Sequence, residues 1–456
     1  MDFYKPQEKI NYKLCLLLCL IISVMLCAAQ VIGNTLLVLL VLIIFILFII
    51  VYTFKKLTVP ILLFFLPWSP LLKFSPGQIS VYTIAFFAVC LVAFANNYKR
   101  MQLNYSIFTV LLLVITGFSK LISGYYLDKG YILFFIFLIL FPVMTLECID
   151  GYDYYIITIF FVFGIVSSSL LAKQIYVFPT IARFIDVFSW KEMGITRYSG
   201  FYGDSNFYSA HVAPALTAVL LLTVRTRKRK RILVLIASAV LLLYCGFIAA
   251  SKSFIIIIVL VICLWLIVFL FTKNKISTKL MLVLSVFLVG LFVFTSSLFS
   301  DSLEVIMIRF GQGLDADTLT TGRNSLWKSY LNLFLDDPKV LFIGRGYTDI
   351  NLYGRASHNT AIQMIYQFGI IGSVLLILWI STIVKYILRS VKMSVKHIPF
   401  ITVLVIGTFA LWMGLDVMFL DEFFLIIFFF LFGIRWIASS DFKVKNKVSN
   451  EEPMDG

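Results

Sequence analysis

Ionised side chains are scarce in this chain, and histidine is scarcer still. Lys, Arg, Asp and Glu make up 13% of its 456 residues, where soluble domains carry roughly a quarter. That excludes an ordinary soluble globular protein. The three histidines, His211, His358 and His397, show no paired-ligand spacing, so no metal site is expected. There is no P-loop, no dinucleotide fingerprint and no internal repeat at a fixed period, so no cofactor is expected either. None of the seven cysteines (Cys15, Cys19, Cys27, Cys90, Cys148, Cys245 and Cys263) falls in a long polar segment. The chain therefore offers no disulfide where one could persist. Cys15 and Cys19, four apart on one helix face, read as small apolar residues.

What the chain has in excess is apolar sequence: 61% hydrophobic residues, 46 Phe and 22 Tyr, and a mean hydropathy of +1.01. Runs of about 18 or more apolar residues recur throughout, which predicts an all-α polytopic membrane protein. In lipid only helices can satisfy the backbone of such runs, because the strands of a barrel would alternate. The predicted spans are 14–31, 35–54, 57–72, 79–95, 104–122, 131–147, 154–177, 206–224, 232–250, 253–271, 280–299, 360–385, 398–416 and 420–438. The total is about fourteen, within a range of twelve to fourteen, since Pro67 and Pro70 interrupt the short third run. The run after Lys13 lacks a small-residue cleavage site and reads as the first anchor.

Lys and Arg set the expected orientation. With Lys5, Lys9 and Lys13 in the cytoplasm, Lys55–Lys56, Lys99–Arg100, Arg225–Arg231, Lys273–Lys279, Lys385–Lys396 and the tail lysines all fall on that side. Only the acidic 147–153 loop departs. The net charge of +15 is thus a topology signal; the block from Arg225 to Arg231 is a stop-transfer anchor on anionic lipid rather than a nucleic-acid patch. The predicted organisation is N-terminal membrane helices (1–177), a first extracytoplasmic loop (178–205), central helices (206–299), a large helical extracytoplasmic loop (300–359), C-terminal helices (360–438) and a cytoplasmic tail (439–456). The tail, Lys-rich then Glu-rich, reads as disordered.

The outward loops carry the polar chemistry. The first ends at Arg197-Tyr198-Ser199-Gly200, where Gly200 and Gly203 permit a turn and Asp204, Ser205 or Asn206 can cap the next helix. Arg197 either serves chemistry or snorkels to headgroups. Ser251-Lys252-Ser253 is a charged hairpin whose Lys could equally be interfacial. In the long loop, which also carries Arg309, residues Leu303, Ile306, Met307 and Phe310 predict one amphipathic helix, and Leu326, Trp327, Tyr330, Leu331 and Phe334 a second, ended by Asp336-Asp337-Pro338. Ser357 is the expected N-cap of the following span, which would put His358 in its first turn. There the positive helix end disfavours imidazolium, leaving His358 neutral and able to accept a proton. The alternative is that His358 only caps or sits at the interface.

Taken together these segments resemble the bacterial O-antigen ligase and polysaccharide polymerase superfamily. The resemblance rests on Arg197-Tyr198-Ser199-Gly200 with Asp204-Ser205-Asn206, and on Ser251-Lys252-Ser253, where that family shows Ser-Arg. It continues through Gly322-Arg323 followed by Trp327, Phe342-Ile343-Gly344-Arg345-Gly346, and His358-Asn359 followed by Gln363 and Gly369-Ile370-Ile371-Gly372. It covers about 197–372. It implies the GT-C glycosyltransferase architecture in a bacterial cytoplasmic membrane, with both termini cytoplasmic. It further implies a metal-independent glycosyltransferase acting on undecaprenyl-pyrophosphate-linked glycans. His358 would be the base; Arg197, Lys252 and Arg323 would bind pyrophosphate; Arg345, Arg355, Asn359 and Asp204 are further substrate-binding candidates. Lys252 keeps the charge of the usual Arg but loses its bidentate fork.

The chemistry is consistent with that assignment. Pyrophosphate is a stable anion and needs no proton on leaving, so one base on the acceptor hydroxyl suffices and cations must stabilise the leaving charge. The expectation is polymerisation of lipid-linked repeat units into O-antigen, capsule or exopolysaccharide. Ligation of the glycan to another acceptor is the alternative. Donor, acceptor and membrane lipids are the expected partners, with a chain-length regulator and a flippase as protein partners and no nucleic acid. A lipid-linked oligosaccharide flippase is the reading from another class, but such transporters place charge inside their spans and show paired halves.

Overall fold

The computed structural model describes residues 11–53, 57–75, 78–98, 103–124, 129–148, 153–182, 184, 189–190, 195–226, 228–271, 276–311, 323–347, 352–354, 356–389, 391, 393–417 and 420–439. The predicted tail, Arg355 and the Thr320-Thr321-Gly322 segment lie outside them.

All fourteen apolar runs fall on helices. In chain order these are α1 (Tyr12–Ile32), α2 (Thr35–Thr53), α3 (Thr58–Phe65), α4 (Val81–Asn97), α5 (Leu103–Ile122), α6 (Lys129–Cys148) and α7 (Tyr154–Ile175). The short α8 (Pro179–Ala182) precedes α9 (Ser205–Arg225), α10 (Arg229–Ile248), α11 (Lys252–Leu270) and α12 (Ile276–Thr295). The long polar loop forms α13 (Ser297–Gly311), α14 (Arg323–Asp336) and α15 (Pro338–Ile343). Then come α16 (Thr360–Leu388), α17 (Ile398–Phe409) and α18 (Leu420–Ser439). Among the described residues, strand is confined to one antiparallel pair, with Ser189 opposite Thr196 and Trp190 opposite Ile195. Nine helices of the described chain are long and apolar enough to cross a membrane, and shorter apolar helices accompany them. Apart from that strand pair the elements of the described chain are helical, and the protein is a polytopic membrane protein.

Contacts between connections sort into two ends of the bundle. At one end, Thr180 Oγ1 donates to Val31 O (2.9 Å), Tyr202 Oη to Leu66 O (3.1 Å) and Glu422 Oε1 (3.1 Å), and Lys120 Nζ to Tyr347 O (2.6 Å). At the other, Arg231 pairs with Asp153 (3.6 Å), and Arg225 and Arg435 donate to the Ile437 and Ile387 carbonyls. Both polar loops therefore share the first end. Helix α9 and helix α18 are the most enclosed of the candidate spans. Lipid tails are as apolar as the helices, so close packing rather than hydrophobicity joins them. At Gly407 a Cβ would lie 2.0 Å from Thr217 Oγ1, so α17 approaches α9 backbone-close.

Two predicted spans differ most in form, while the 280–299 run is divided between α12 and α13 and the 398–416 run ends in a 3₁₀ turn over Ala410–Gly414. The third run is only α3 plus a 3₁₀ turn over Leu66–Trp68, buried throughout; Pro67 ends the regular helix. The run from 360 is broken at Gly369 (φ 65°). Its first nine residues lie against α14 and α15, where Tyr366 packs with Tyr330, Phe334 and Val340. At 1.5 Å per residue an unbroken α16 would far exceed an apolar core of about 30 Å. The break is locked from the other side. Gly344 (φ 72°) lies so close to Gln367 and Gly369 that neither glycine could carry a Cβ, and Arg345 N donates to Tyr366 O (2.8 Å). The two glycine motifs of the sequence therefore meet in space. The loop helices also differ in detail: Phe299 and Ile306 form the packed face of α13, while Met307 is 67% exposed, as is about half of Leu331 on α14.

Gly369→Ala would place its Cβ 2.3 Å from the Phe342 carbonyl at a left-handed φ. We expect it to cost about 1–3 kcal/mol, read as a lower thermal midpoint in detergent. Gly290→Ala, where a Cβ meets nothing within 4 Å, should not lower it.

Candidate functional site

Arg197 ends the first polar loop, just ahead of α9. Asp204 caps that helix, its Oδ1 accepting from Asn206 N (2.6 Å) and Phe207 N (3.4 Å). Gly200 adopts φ 59°, which turns the chain back so that Arg197 reaches the neighbouring hairpin. There Arg197 Nε donates to Ala249 O (3.0 Å) and Nη2 to Ser205 Oγ. The same hairpin is tied to α9 by Ser251 Oγ donating to Asn206 Oδ1 (2.7 Å).

Two more guanidinium groups arrive from the long loop. Arg309 Nη1 donates to Ala250 O, and Arg323 Nη1 to Gly414 O (2.7 Å). Burial depresses the pKa of all three. Arg197 falls to about 10, first through burial and then through Arg309, with Arg323 adding to it and Asp204 opposing. These groups thus lie within electrostatic reach of one another in a half-buried place. Among the described residues, no carboxylate lies within ion-pair distance of Arg309 or Arg323. Arg309 and Arg323 line a cavity of about 220 Å³ together with Lys252, Asn206 and Trp327. Ile256, Ile257, Leu411 and Met413 form its apolar side. Lys252 is the first residue of α11 and only 5% exposed, not an exposed hairpin charge; its Nζ lies 5.8 Å from the Phe310 ring centroid. Concentrated positive charge beside an apolar wall suits an anionic head on a lipid tail.

His358 flanks this cluster on the Arg323 side. Its capping differs from the sequence expectation. Asn359, not Ser357, caps α16, with Oδ1 accepting from Ala361 N (3.0 Å) and Ile362 N (3.2 Å). His358 therefore stands before the helix, at φ 50°, and not in its first turn. Ser357 instead reaches across the fold. Its Oγ donates to Asp416 Oδ1, His358 N donates to Asp416 Oδ2 (2.9 Å), and Asn359 N to Asp416 Oδ1 (3.1 Å). Trp327 Nε1 holds the same turn through Ser357 O (3.0 Å), and Thr360 Oγ1 through Leu415 O (2.6 Å). The imidazole is half-buried and, among the described residues, makes no hydrogen bond of its own. Its pKa is lowered from the ordinary value, first by burial and then by Arg323, with Asp416 and Asp204 opposing. Neutrality of His358 thus comes from burial and a guanidinium, not from a helix end.

The structure brings Arg197, Lys252, Arg323, His358 and Asp204 to one place. Asn359 stands there as a cap with its carbonyl oxygen engaged. Arg345 does not line the cavity; it sits at the α15–α16 junction, its guanidinium 5.7 Å from the Tyr366 ring centroid. Two contributors went unassigned in the sequence. Arg309 follows the buried Ile306 by three positions, so it shares the inward face of α13. Asp416 is 4% exposed and was hidden at the end of a predicted span, where Gly414-Leu415-Asp416 breaks the apolar run. Among the described residues, no group of three or more His, Cys, Asp or Glu is placed to hold a metal ion.

Residues 237–377 match the O-antigen ligase family model. The O-antigen ligase match takes in Lys252, Arg309, Arg323, Arg345, His358, Asn359 and both glycine motifs; Arg197, Asp204 and Asp416 lie outside it. A search of the curated proteins found no match. Over that segment the chain is similar to O-antigen ligases, and the helices around it are those of an integral membrane protein. Arg309→Gln should weaken binding of inorganic pyrophosphate about tenfold or more, by the loss of charge-assisted hydrogen bonds. Calorimetry on the purified protein in lipid nanodiscs measures this. Undiminished binding in both Arg309→Gln and Arg323→Gln would remove the cluster as an anion site.

Proposed function

We propose that this protein polymerises undecaprenyl-pyrophosphate-linked repeat units into a surface polysaccharide, in the bacterial cytoplasmic membrane and at its outer face. The observation that carries the reading is the convergence of Arg197, Arg309 and Arg323 beside a neutral imidazole at the end of the bundle away from the basic connections. Positive loops stay in the cytoplasm, which puts the cluster outside and both termini inside.

In this mechanism the donor diphosphate binds the guanidinium groups and Lys252, while its polyprenyl chain lies along the apolar side of the cavity, where Ile256 is 51% exposed. The acceptor hydroxyl attacks the anomeric carbon. The bond from that carbon to the phosphate oxygen breaks, and the diphosphate leaves without a proton. His358 takes the hydroxyl proton. The cations bind the leaving group more tightly as its charge develops, which lowers the barrier. Asp416 fixes the backbone of the His358 turn and so positions the base. A ligase would use the same steps with a different acceptor; supplying purified protein with lipid-linked repeat units as the only acceptor separates the two.

Two outcomes test the reading. His358→Ala and Arg323→Ala should each abolish chain extension in that assay, seen as loss of the oligomer ladder on a gel. An unchanged length distribution and yield in either would sink the assignment. The rate should also fall as pH drops through the lowered His358 pKa, because the base must be neutral. Since Asp416 opposes that lowering, Asp416→Asn should move the acid limb to lower pH as well as slow the reaction. A limb that stays in place or moves up contradicts His358 as the base.

A further inference from the structure

A second and larger cavity, about 490 Å³, lies on the far side of the α10–α11 corner from the cationic one. Its size is within the range of about 300–1,000 Å³ usual for small-molecule sites. Ala250 lines it, and the Ala250 carbonyl accepts from Arg309, which lines the other cavity. Ala250 and Arg309, joined by that bond, thus stand between the two cavities. Ala250 holds that wall at φ 46°, a conformation alanine rarely adopts.

The chemistry of the second cavity is opposite in sign. Asp301 and Glu304, both exposed on α13, face it together with Ser302, Thr196 and the ring of Tyr198. Among the described residues that line it, Lys173 is the one cation. That ammonium is engaged in holding the aromatic wall: Nζ bonds Tyr244 Oη at 3.2 Å and lies 5.3 Å from the Tyr198 centroid. Tyr198 is further fixed edge-on to Tyr176, with centroids 5.5 Å apart. An immobilised aromatic ring offers a face for sugar C–H groups, and ionised carboxylates accept hydroxyl hydrogens strongly. Two carboxylates against one occupied ammonium repel a phosphate or a uronate.

We infer that this cavity binds a neutral or amino sugar unit of the lipid-linked glycan, next to the diphosphate held beyond the Ala250 wall. This rests on the function proposed above. Donor and acceptor glycans present the same chemistry, and the assay distinguishes them.

The experiment uses the full chain in lipid nanodiscs. The probe is the repeat-unit oligosaccharide released by mild acid from the host's own surface polysaccharide, followed by saturation-transfer NMR. The double variant Asp301→Ala, Glu304→Ala removes the acceptors, and Val305→Trp fills the cavity, which Val305 lines. Oligosaccharide affinity should drop about tenfold or more in both, while inorganic pyrophosphate binds as in the parent. In turnover assays, whichever of the donor or acceptor KM rises names the glycan. Oligosaccharide binding unchanged in both variants overturns the inference and leaves the proposed function standing. Absence of pyrophosphate binding in the parent protein instead removes the proposed function, whatever the sugar does.

Discussion

The site depends on positive charge that backbone carbonyls and a serine hydroxyl hold in place. The bonds described for Arg197, Arg309 and Arg323 run to the Ala249, Ala250 and Gly414 carbonyls and to the Ser205 hydroxyl. A carbonyl orients a guanidinium but leaves its charge intact. Burial is what first depresses these arginines below their ordinary range, with Arg309 and Arg323 adding to it at Arg197 and Arg323 adding to it at Arg309. An anion bound there would offset that cost. The cost of gathering the cations is carried by the surrounding corners, where the chain accepts a left-handed Ala250 and a turn at Gly200.

A second constraint crosses the fold from the far C-terminal helices. Asp416 collects the Ser357 hydroxyl and the His358 and Asn359 amides, so the loop between α17 and α18 fixes a turn some sixty positions earlier in the chain. That turn contains His358 in a left-handed conformation, and such strain persists only where its surroundings over-determine it. The two non-glycine residues of positive φ among the described residues, Ala250 and His358, both flank the arginine cluster. One sets a cation's partner carbonyl, the other the imidazole proposed as the base. Geometry of this kind reduces the reorganisation needed during reaction.

Much of the architecture was legible from apolar periodicity, because a helix in lipid must satisfy its own backbone and so announces itself by length. Periodicity could not reveal that α16 breaks, since Gly369 sits in a run that stays apolar on both sides. The break depends on Gly344 arriving from another segment. The capping error at Ser357 has a similar cause: Ser357 and Asn359 are both good caps, and Asp416 draws the serine away. Met307 and Leu331 fit an amphipathic stripe yet remain exposed, because hydrophobic spacing alone does not say which apolar residues meet protein and which face outward.

The sequence by itself determined the class of molecule, the positions of its helices and the clustering of polar residues in two loops, all of which are local consequences of hydropathy and charge. Tertiary structure decided which of the loop cations share a site. It admitted Arg309, put Arg345 elsewhere, and supplied Asp416 as the anchor of the His358 turn. Arg309, Arg323 and Asp416 are placed by contacts between segments 57 to 91 positions apart, and no pattern within one segment encodes where its partner will be.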